Sequence, residues 1–158
     1  MNTIASEEVT VVEPGGGVLV GDDGSDCAAQ AVLAAAQESV RHDLPLHVVR
    51  AWSIVSAVRP PDVPRGVVPS LQELEASTLA EQRRRLAELL GDGTEAHVHA
   101  VHAPPAKALL HAAQTADLLV LGTRGLGGFK HLLLGSVAEQ CIRYAPCNVL
   151  VVRADRPS

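Results

Sequence analysis

Asp117-Leu118-Leu119-Val120-Leu121-Gly122 is the stretch that decides how this chain folds. Its centre is apolar at every position and it ends on a glycine. A strand covered on one side alternates polar and apolar side chains, whereas a strand covered on both sides does not. The run therefore predicts an interior strand with helices on both faces of its sheet. Upstream of it, Pro105 suits the first turn of a helix carrying Ala106, Leu109, Leu110 and Ala113 at helical spacing. His97 to Val101 reads as another strand, and Leu71 to Leu90 as a helix closed by Gly91-Asp92-Gly93. Leu46 to Ala51 and Val18 to Gly21 read as two earlier strands. Between them lies an Ala-rich helix in which Ala28, Val32 and Ala35 recur, capped by Ser25 or Asp26 and stopped by Pro45. Downstream, Ser136 to Tyr144 reads as a short helix with Ser136 and Glu139 in capping-box positions, and Asn148 to Val152 as the last strand beyond Pro146.

Strands that alternate with helices need crossover connections. The expected fold is thus α/β, a doubly wound and mostly parallel five-stranded sheet with helices on both faces. The segment Ser53 to Ser70 holds four prolines and one glycine without periodicity. A loop that long in a compact domain reads as a lid or binding segment.

Composition removes several classes of function. The chain has 158 residues, the size of one domain, and 47% of them are hydrophobic. Aromatic residues make up only 2%, so the core has to come from Val, Leu, Ile and Ala. A net charge of -5 argues against a sequence-independent grip on nucleic acid, and Arg83-Arg84-Arg85 reads as a solvated helix face offset by Glu81 and Glu88. No apolar run is long enough to span a bilayer, and the Glu-rich start does not read as a signal peptide. Cys27, Cys141 and Cys147 form no CxxC pair, which fits the reducing cytoplasm. His97 and His99 share a strand face near His102 and could ligate a metal. No Cys or carboxylate joins them at ligand spacing, and an exposed edge strand explains them equally well. A nucleophilic triad on Ser25 lacks a base histidine.

In a doubly wound sheet, ligands sit beyond the carboxyl ends of the strands, where the strand order reverses. Asp22-Asp23-Gly24-Ser25 follows the first strand, and Gly122-Thr123-Arg124-Gly125 follows the fourth. Glycine permits positive φ and lets a phosphate approach the backbone. The helix opening at Gly135-Ser136 adds unpaired N–H groups and the positive end of its dipole. Arg124, Lys130 and His131 supply charge nearby. Neither GxxxxGK[ST] nor GxGxxG fits, since Lys130 stands where the last glycine of the latter would fall.

The spacing Gly122, two residues, Gly125, nine residues, Gly135-Ser136 resembles the G-2x-G-9x-G-[S/T] pattern of ATP-binding universal stress proteins. Val18 to Ser25 is similar to that family's first strand and Asp-Gly-Ser turn, Val48 to Trp52 to its second strand, and Ala116 to Gly122 to its fourth. Gly135 to Val152 is similar to its C-terminal helix and last strand. The resemblance covers residues 17–153, leaving 1–16 as an expected flexible tail and 154–158 as a C-terminal one. It implies a Rossmann-like fold of the adenine nucleotide alpha hydrolase type with strand order 3-2-1-4-5. It further implies ATP as ligand. By residue type, Asp22-Asp23 could hold Mg2+ or Mn2+ through the ATP phosphates, and a turn with a helix cap explains Asp22 equally well. By the same resemblance Asp23 meets the ribose, Ala51 the adenine through its backbone, and Gly122 the ribose. Gly125, Gly135 and Ser136 would hold the phosphates, with Thr123, Arg124, Val137 and Ala138 lining the same tunnel. The family's habit implies a homodimer through Asn148 to Val152. The chain departs from the family at Asp22, where an apolar residue is usual, at Ala103, where glycine is common, and at Ala138, where some members carry a hydroxyl. The function expected is a nucleotide-dependent stress-response module. A slow ATP hydrolase and a dimerisation module without nucleotide are the alternatives. No general base or arginine finger for fast phosphoryl transfer is identifiable.

Overall fold

The computed structural model describes residues 12–125 and 134–153. Among them, strand β1 (Val18–Gly21) leads to helix α1 (Asp26–His42), and β2 (Leu46–Trp52) to α2 (Leu71–Leu90). Strand β3 (His97–His102) is followed by α3 (Pro105–Ala112), which runs into a 3-10 turn, Ala113–Thr115. Then come β4 (Leu118–Gly122), α4 (Ser136–Tyr144) and β5 (Asn148–Val152). The strands form one five-stranded parallel sheet in the order β3-β2-β1-β4-β5, the expected fold.

Strand geometry sends successive side chains to opposite faces, and the core divides accordingly. Val18, Val20, Val48 and Val120 pack on one face against Ala31, Val32 and Ala35 of α1 and Leu86 of α2. Leu19, Val49, Leu119 and Leu121 pack on the other against Ala108, Leu109 and Ala112 of α3 and Cys141 of α4. Each fully buried Val or Leu contributes about 1.5–3 kcal/mol, which explains how a core almost without aromatics holds. The alanines let the helix axes come close to the sheet.

Local chemistry sets the boundaries. The Ser25 hydroxyl accepts from the Ala28 N–H at 3.1 Å and starts α1, which ends at Asp43 in a left-handed conformation before Pro45. Ser70 and Glu73 form a capping box on α2, and the Ser70 hydrogen bonds lower the Glu73 pKa. The capping box expected at Ser136 and Glu139 is absent. Gly135 occupies the N-cap, Ser136 is already the first helical residue, and no side chain caps α4. Gly17 shows why a glycine opens the first strand: its φ is +109°, and a Cβ there would lie 2.6 Å from the Pro45 carbonyl oxygen.

The segment between β2 and α2 has neither helix nor strand. It is tied down by polar contacts: the Arg59 guanidinium donates to the carbonyls of Pro64 (2.7 Å) and Val67 (2.9 Å), and the Val58 N–H donates to Thr78 Oγ1 at 3.1 Å. Of the expected N-terminal tail, residues 1–11 lie outside the described residues, and Val12 is buried in the α3 side of the core. The tail at 154–158 also lies outside them. The arginine run is not uniformly solvated. Arg83 and Arg84 are exposed, whereas Arg85 turns inward toward β1.

Candidate functional site

Strand β1 lies between β2 and β4, so the chain winds outward from it in both directions and a crevice opens at its carboxyl end. Two close approaches shape that crevice. A Cβ on Gly122 would fall 2.8 Å from Cys27 Sγ and 3.1 Å from the Cys27 carbonyl oxygen, so glycine at the end of β4 lets the start of α1 pack against it. A Cβ on Gly125 would collide with the Asp23 carboxylate. The two loops therefore face each other. The Gly135 N–H donates to the Thr123 carbonyl at 2.6 Å, and the Thr123 N–H donates to the Val152 carbonyl at 3.0 Å. These bonds pin both ends of the glycine-rich loop to one place beside β5.

The crevice holds a cavity of about 650 Å3, within the range of small-molecule sites. Asp23, Ala51, Gly122, Thr123, Arg124, Gly125, Gly135, Ser136, Val137 and Ala138 all line it. Lys130 and His131 lie outside the described residues. Val49, Pro105, Leu109 and Leu121 give one end an apolar wall, and Arg50 and Ser56 stand at its margin, positions that reasoning from sequence missed. Arg50 follows the core residue Val49 in β2 and could have been found from its place at the strand's carboxyl end. The opposite end is made of backbone and small side chains at the uncapped N-terminus of α4. Apolar at one end and rich in amide donors at the other, the cavity suits a flat ring joined to an anion.

The glycines act by close approach, not by unusual backbone. Gly122, Gly125 and Gly135 are absent from the positive-φ residues, so the left-handed freedom expected of this loop is not used at these three. A Cβ on Gly135 would meet only ordinary contacts, the nearest at 3.5 Å.

The neighbouring aspartates separate sharply. Asp22 is 2% exposed, and its Oδ2 accepts from Gln82 Nε2 at 2.7 Å and from Arg85 Nε at 2.8 Å. Its Oδ1 accepts from the Gly24 N–H at 2.9 Å. Asp22 is thus tied to α2 and to its own turn by three hydrogen bonds. Asp23 is half-buried, accepts from the Ser25 N–H through Oδ1 at 2.9 Å, and turns Oδ2 toward Gly125.

His97 and His99 of β3 stack on a histidine of β2, whereas His102 stacks on Trp52. His47 of β2 lies 4.8 Å from His97 and 5.4 Å from His99 between ring centroids, and its Nδ1 is 3.2 Å from His99 Nε2. Burial, followed by the charges of His97 and His99, pushes the His47 pKa down to about 4. Among the described residues no group of three His, Cys, Asp or Glu side chains could hold a metal ion. Burial also raises the Cys141 thiol to about 11, which keeps it protonated and inert. No helix of the described residues is long and apolar enough to cross a membrane.

A five-stranded parallel sheet in this order, with helices on both faces and a glycine-lined cleft at its switch point, defines an α/β domain of the Rossmann-like type. Residues 17–153 match the model of the universal stress protein family, and the chain belongs to that family. It is 37% identical over 140 residues to a universal stress protein of Thermus aquaticus, covering 86% of this chain and 97% of that one. A universal stress protein of Mycobacterium tuberculosis is 33% identical over 136 residues, 86% of this chain; the chain spans only 44% of that longer relative. A universal stress protein solved in complex with cAMP superposes with a TM-score of 0.60 at 28% identity, over 87% of this chain and 97% of that one.

Proposed function

We propose that the protein binds an adenine nucleotide, ATP, across the switch-point cleft and works as a nucleotide-dependent stress-response module of the cytoplasm. The convergence of the Asp23 turn and the Gly125–Gly135 loop on one cavity carries this reading. Adenine fits the apolar wall beside Ala51, with the backbone of β2 as its polar partner. The Asp23 carboxylate accepts from ribose hydroxyls, a role for which an anion is suited. Phosphates lie against Gly125, Gly135 and Ser136, where a side chain would obstruct them and where the α4 dipole favours negative charge. The Ser136 hydroxyl, which makes no capping bond, completes that end. A Mg2+ or Mn2+ ion would ride on the phosphates and their waters. The solved relative in complex with cAMP supports an adenine nucleotide as the class of ligand.

The cleft contains no histidine among its described lining residues, and the carboxylate nearest the proposed phosphates is assigned to the ribose. In this reading occupancy is the signal and any nucleotide turnover is slow. The second copy needed for a homodimer pairs along β5, an edge strand whose Leu150 is 37% exposed.

Mass spectrometry of the ligand released from the purified, denatured protein, with calorimetric titration of ATP, tests this. Recovery of ATP and saturable binding are expected; no uptake of any adenine nucleotide by the folded protein would overturn the reading.

A further inference from the structure

Among the described residues, Arg85 is the member of the arginine run that hydrogen-bonds to the turn after β1. From α2 it touches both ends of the turn that carries Asp23: its Nε donates to Asp22 Oδ2 at 2.8 Å, and its Nη2 donates to the Ser25 carbonyl at 2.9 Å. Gln82, one turn earlier and 1% exposed, donates to the same Asp22 oxygen at 2.7 Å. The turn itself is a pair of interlocked Asx turns, Asp22 to Gly24 and Asp23 to Ser25, each closed at 2.9 Å.

Stability alone does not explain this arrangement. The Asp22 side chain is fully buried, and removing a carboxylate from water costs several kcal/mol before its partners return anything. Well-packed apolar residues at positions 22, 82 and 85 together would serve the core as well or better. What the hydrogen-bonded trio of Asp22, Gln82 and Arg85 adds is a fixed orientation. A fork-shaped guanidinium that grips the first and last residues of a four-residue turn leaves the turn no freedom to rotate. Asp23 sits inside that grip, with Oδ1 held by Ser25 and Oδ2 directed at the Gly125 side of the cleft.

We propose that Arg85, seconded by Gln82, is a positioning residue for nucleotide recognition. It acts through Asp22 and the Ser25 carbonyl to aim the Asp23 carboxylate at the ribose hydroxyls. The inference rests on the proposed nucleotide reading, and it places a determinant of ribose selectivity on α2, outside the cleft lining. Linkage makes the effect reciprocal: a ribose held by Asp23 stiffens the contact between the turn and α2.

The test compares four chains by calorimetry with ATP and with 3'-deoxy-ATP and 2'-deoxy-ATP: the wild type, Arg85→Lys, Asp23→Ala, and the apolar triple variant Asp22→Val/Gln82→Leu/Arg85→Leu. The triple variant removes every buried charge together, so it is expected to fold with a melting temperature at or above that of the wild type. Its ATP affinity is expected to fall by roughly five- to tenfold, within the usual range for coupling between sites. Its preference for ATP over the deoxy forms is expected to collapse toward one, as in Asp23→Ala. Arg85→Lys keeps the charge, loses the fork, and should lie between. A folded triple variant that keeps both wild-type affinity and wild-type ribose preference overturns the inference alone. A loss of affinity that is equal for all three nucleotides also overturns it, because that is what a merely structural contact would produce. A wild type that takes up no nucleotide removes the functional reading and this inference together.

Discussion

Asp23 and Gly125 face each other so closely that a methyl group on residue 125 would drive into the Asp23 carboxylate. The first loop and the fourth are therefore matched: the carboxylate takes the space that the missing side chain leaves. Substitutions at the two positions cannot be independent. Gly125→Ala is expected to weaken ATP binding at least tenfold, about 1.4 kcal/mol, by displacing Asp23 as well as by crowding phosphate. In a double-mutant cycle with Asp23→Ala the losses should be clearly less than additive. Additive losses in calorimetric titration would separate the two residues.

Gly135 offers a cleaner probe of the anion end. Its φ of -73° is ordinary, and a Cβ would have room in the protein alone. Gly135→Val should leave the melting temperature within a few degrees of the wild type while weakening ATP by more than tenfold. A folded variant with undiminished affinity would move the phosphates elsewhere. Gly122→Ala should behave oppositely, since Cys27 Sγ and its carbonyl stand against that position. A loss of roughly 1–3 kcal/mol is expected in denaturant unfolding, from overpacking between α1 and β4.

The adjacent aspartates should divide in the same way. Asp23→Ala is expected to lower affinity for ATP with little effect on stability. Asp22→Ala strands Gln82 and the inward guanidinium of Arg85 and should destabilise the protein by about 2 kcal/mol, moderated because Arg85 keeps 22% of its side chain in contact with water. Thermal unfolding and titration of both variants distinguish the roles, and the reverse order would shift the register of the turn by one residue.

How far the sequence is legible follows from the range of the forces involved. The apolar run Leu118–Leu121, the Ser25 cap and Pro105 act over a few residues, and the strands and helices they mark appear where expected. The cleft residues were reachable because glycine spacing and the Asp-Gly-Ser turn are local patterns that the topology then brings together. Arg85 was not. Its partner Asp22 is 63 positions away, while the visible neighbour of Arg84, Glu81, is the i,i+3 ion pair that makes such a run look solvated. The misplaced cap on α4 has a similar cause. A capping box and a helix beginning one residue earlier share the same letters, and only the bond between Gly135 and Thr123 fixes the start. The histidine stack depends on β2 and β3 pairing with His47 opposite His97, a register no local pattern announces.

Assembly gives a prediction about β5. The strand pairs with β4 alone, which leaves its other edge without a strand in the sheet of the described residues. Val149 packs against the core beneath α3 and α4 and Val151 is half-buried, so Leu150 is the more exposed of the three. Edge-to-edge pairing with a second copy would cover it in a two-fold contact. Leu150→Lys places a charge at that contact and should shift the mass seen by light scattering at micromolar concentration from dimer to monomer, with the fold retained. A wild-type monomer under the same conditions would rule the assembly out.

The last prediction is a pH dependence that belongs to the sheet and not to the cleft. Burial and the neighbouring His97 and His99 hold the His47 pKa at about 4 against an ordinary 6.5, and burial and His97 lower that of His99. Among the described residues His47 Nε2 has no hydrogen-bond partner, so nothing there stabilises an added proton. The sign follows. Above pH 6.5 both the folded and the unfolded chain carry His47 neutral, and it contributes no slope. Between 6.5 and about 4 the unfolded chain binds the proton and the folded one resists it, so stability falls as the pH falls. Below about 4 both states are protonated and the loss levels off. The full shift is worth roughly 3–4 kcal/mol for His47, and His99 adds to it in the same direction. Melting temperature should drop between pH 7 and pH 4.5 more steeply in the wild type than in His47→Leu, which removes the group and keeps an apolar side chain on that face. Parallel pH profiles for the two proteins would show that the stack does not control acid stability, and a variant that melts lower at pH 7.5 by more than it gains at pH 4.5 would mark His47 as a packing residue first.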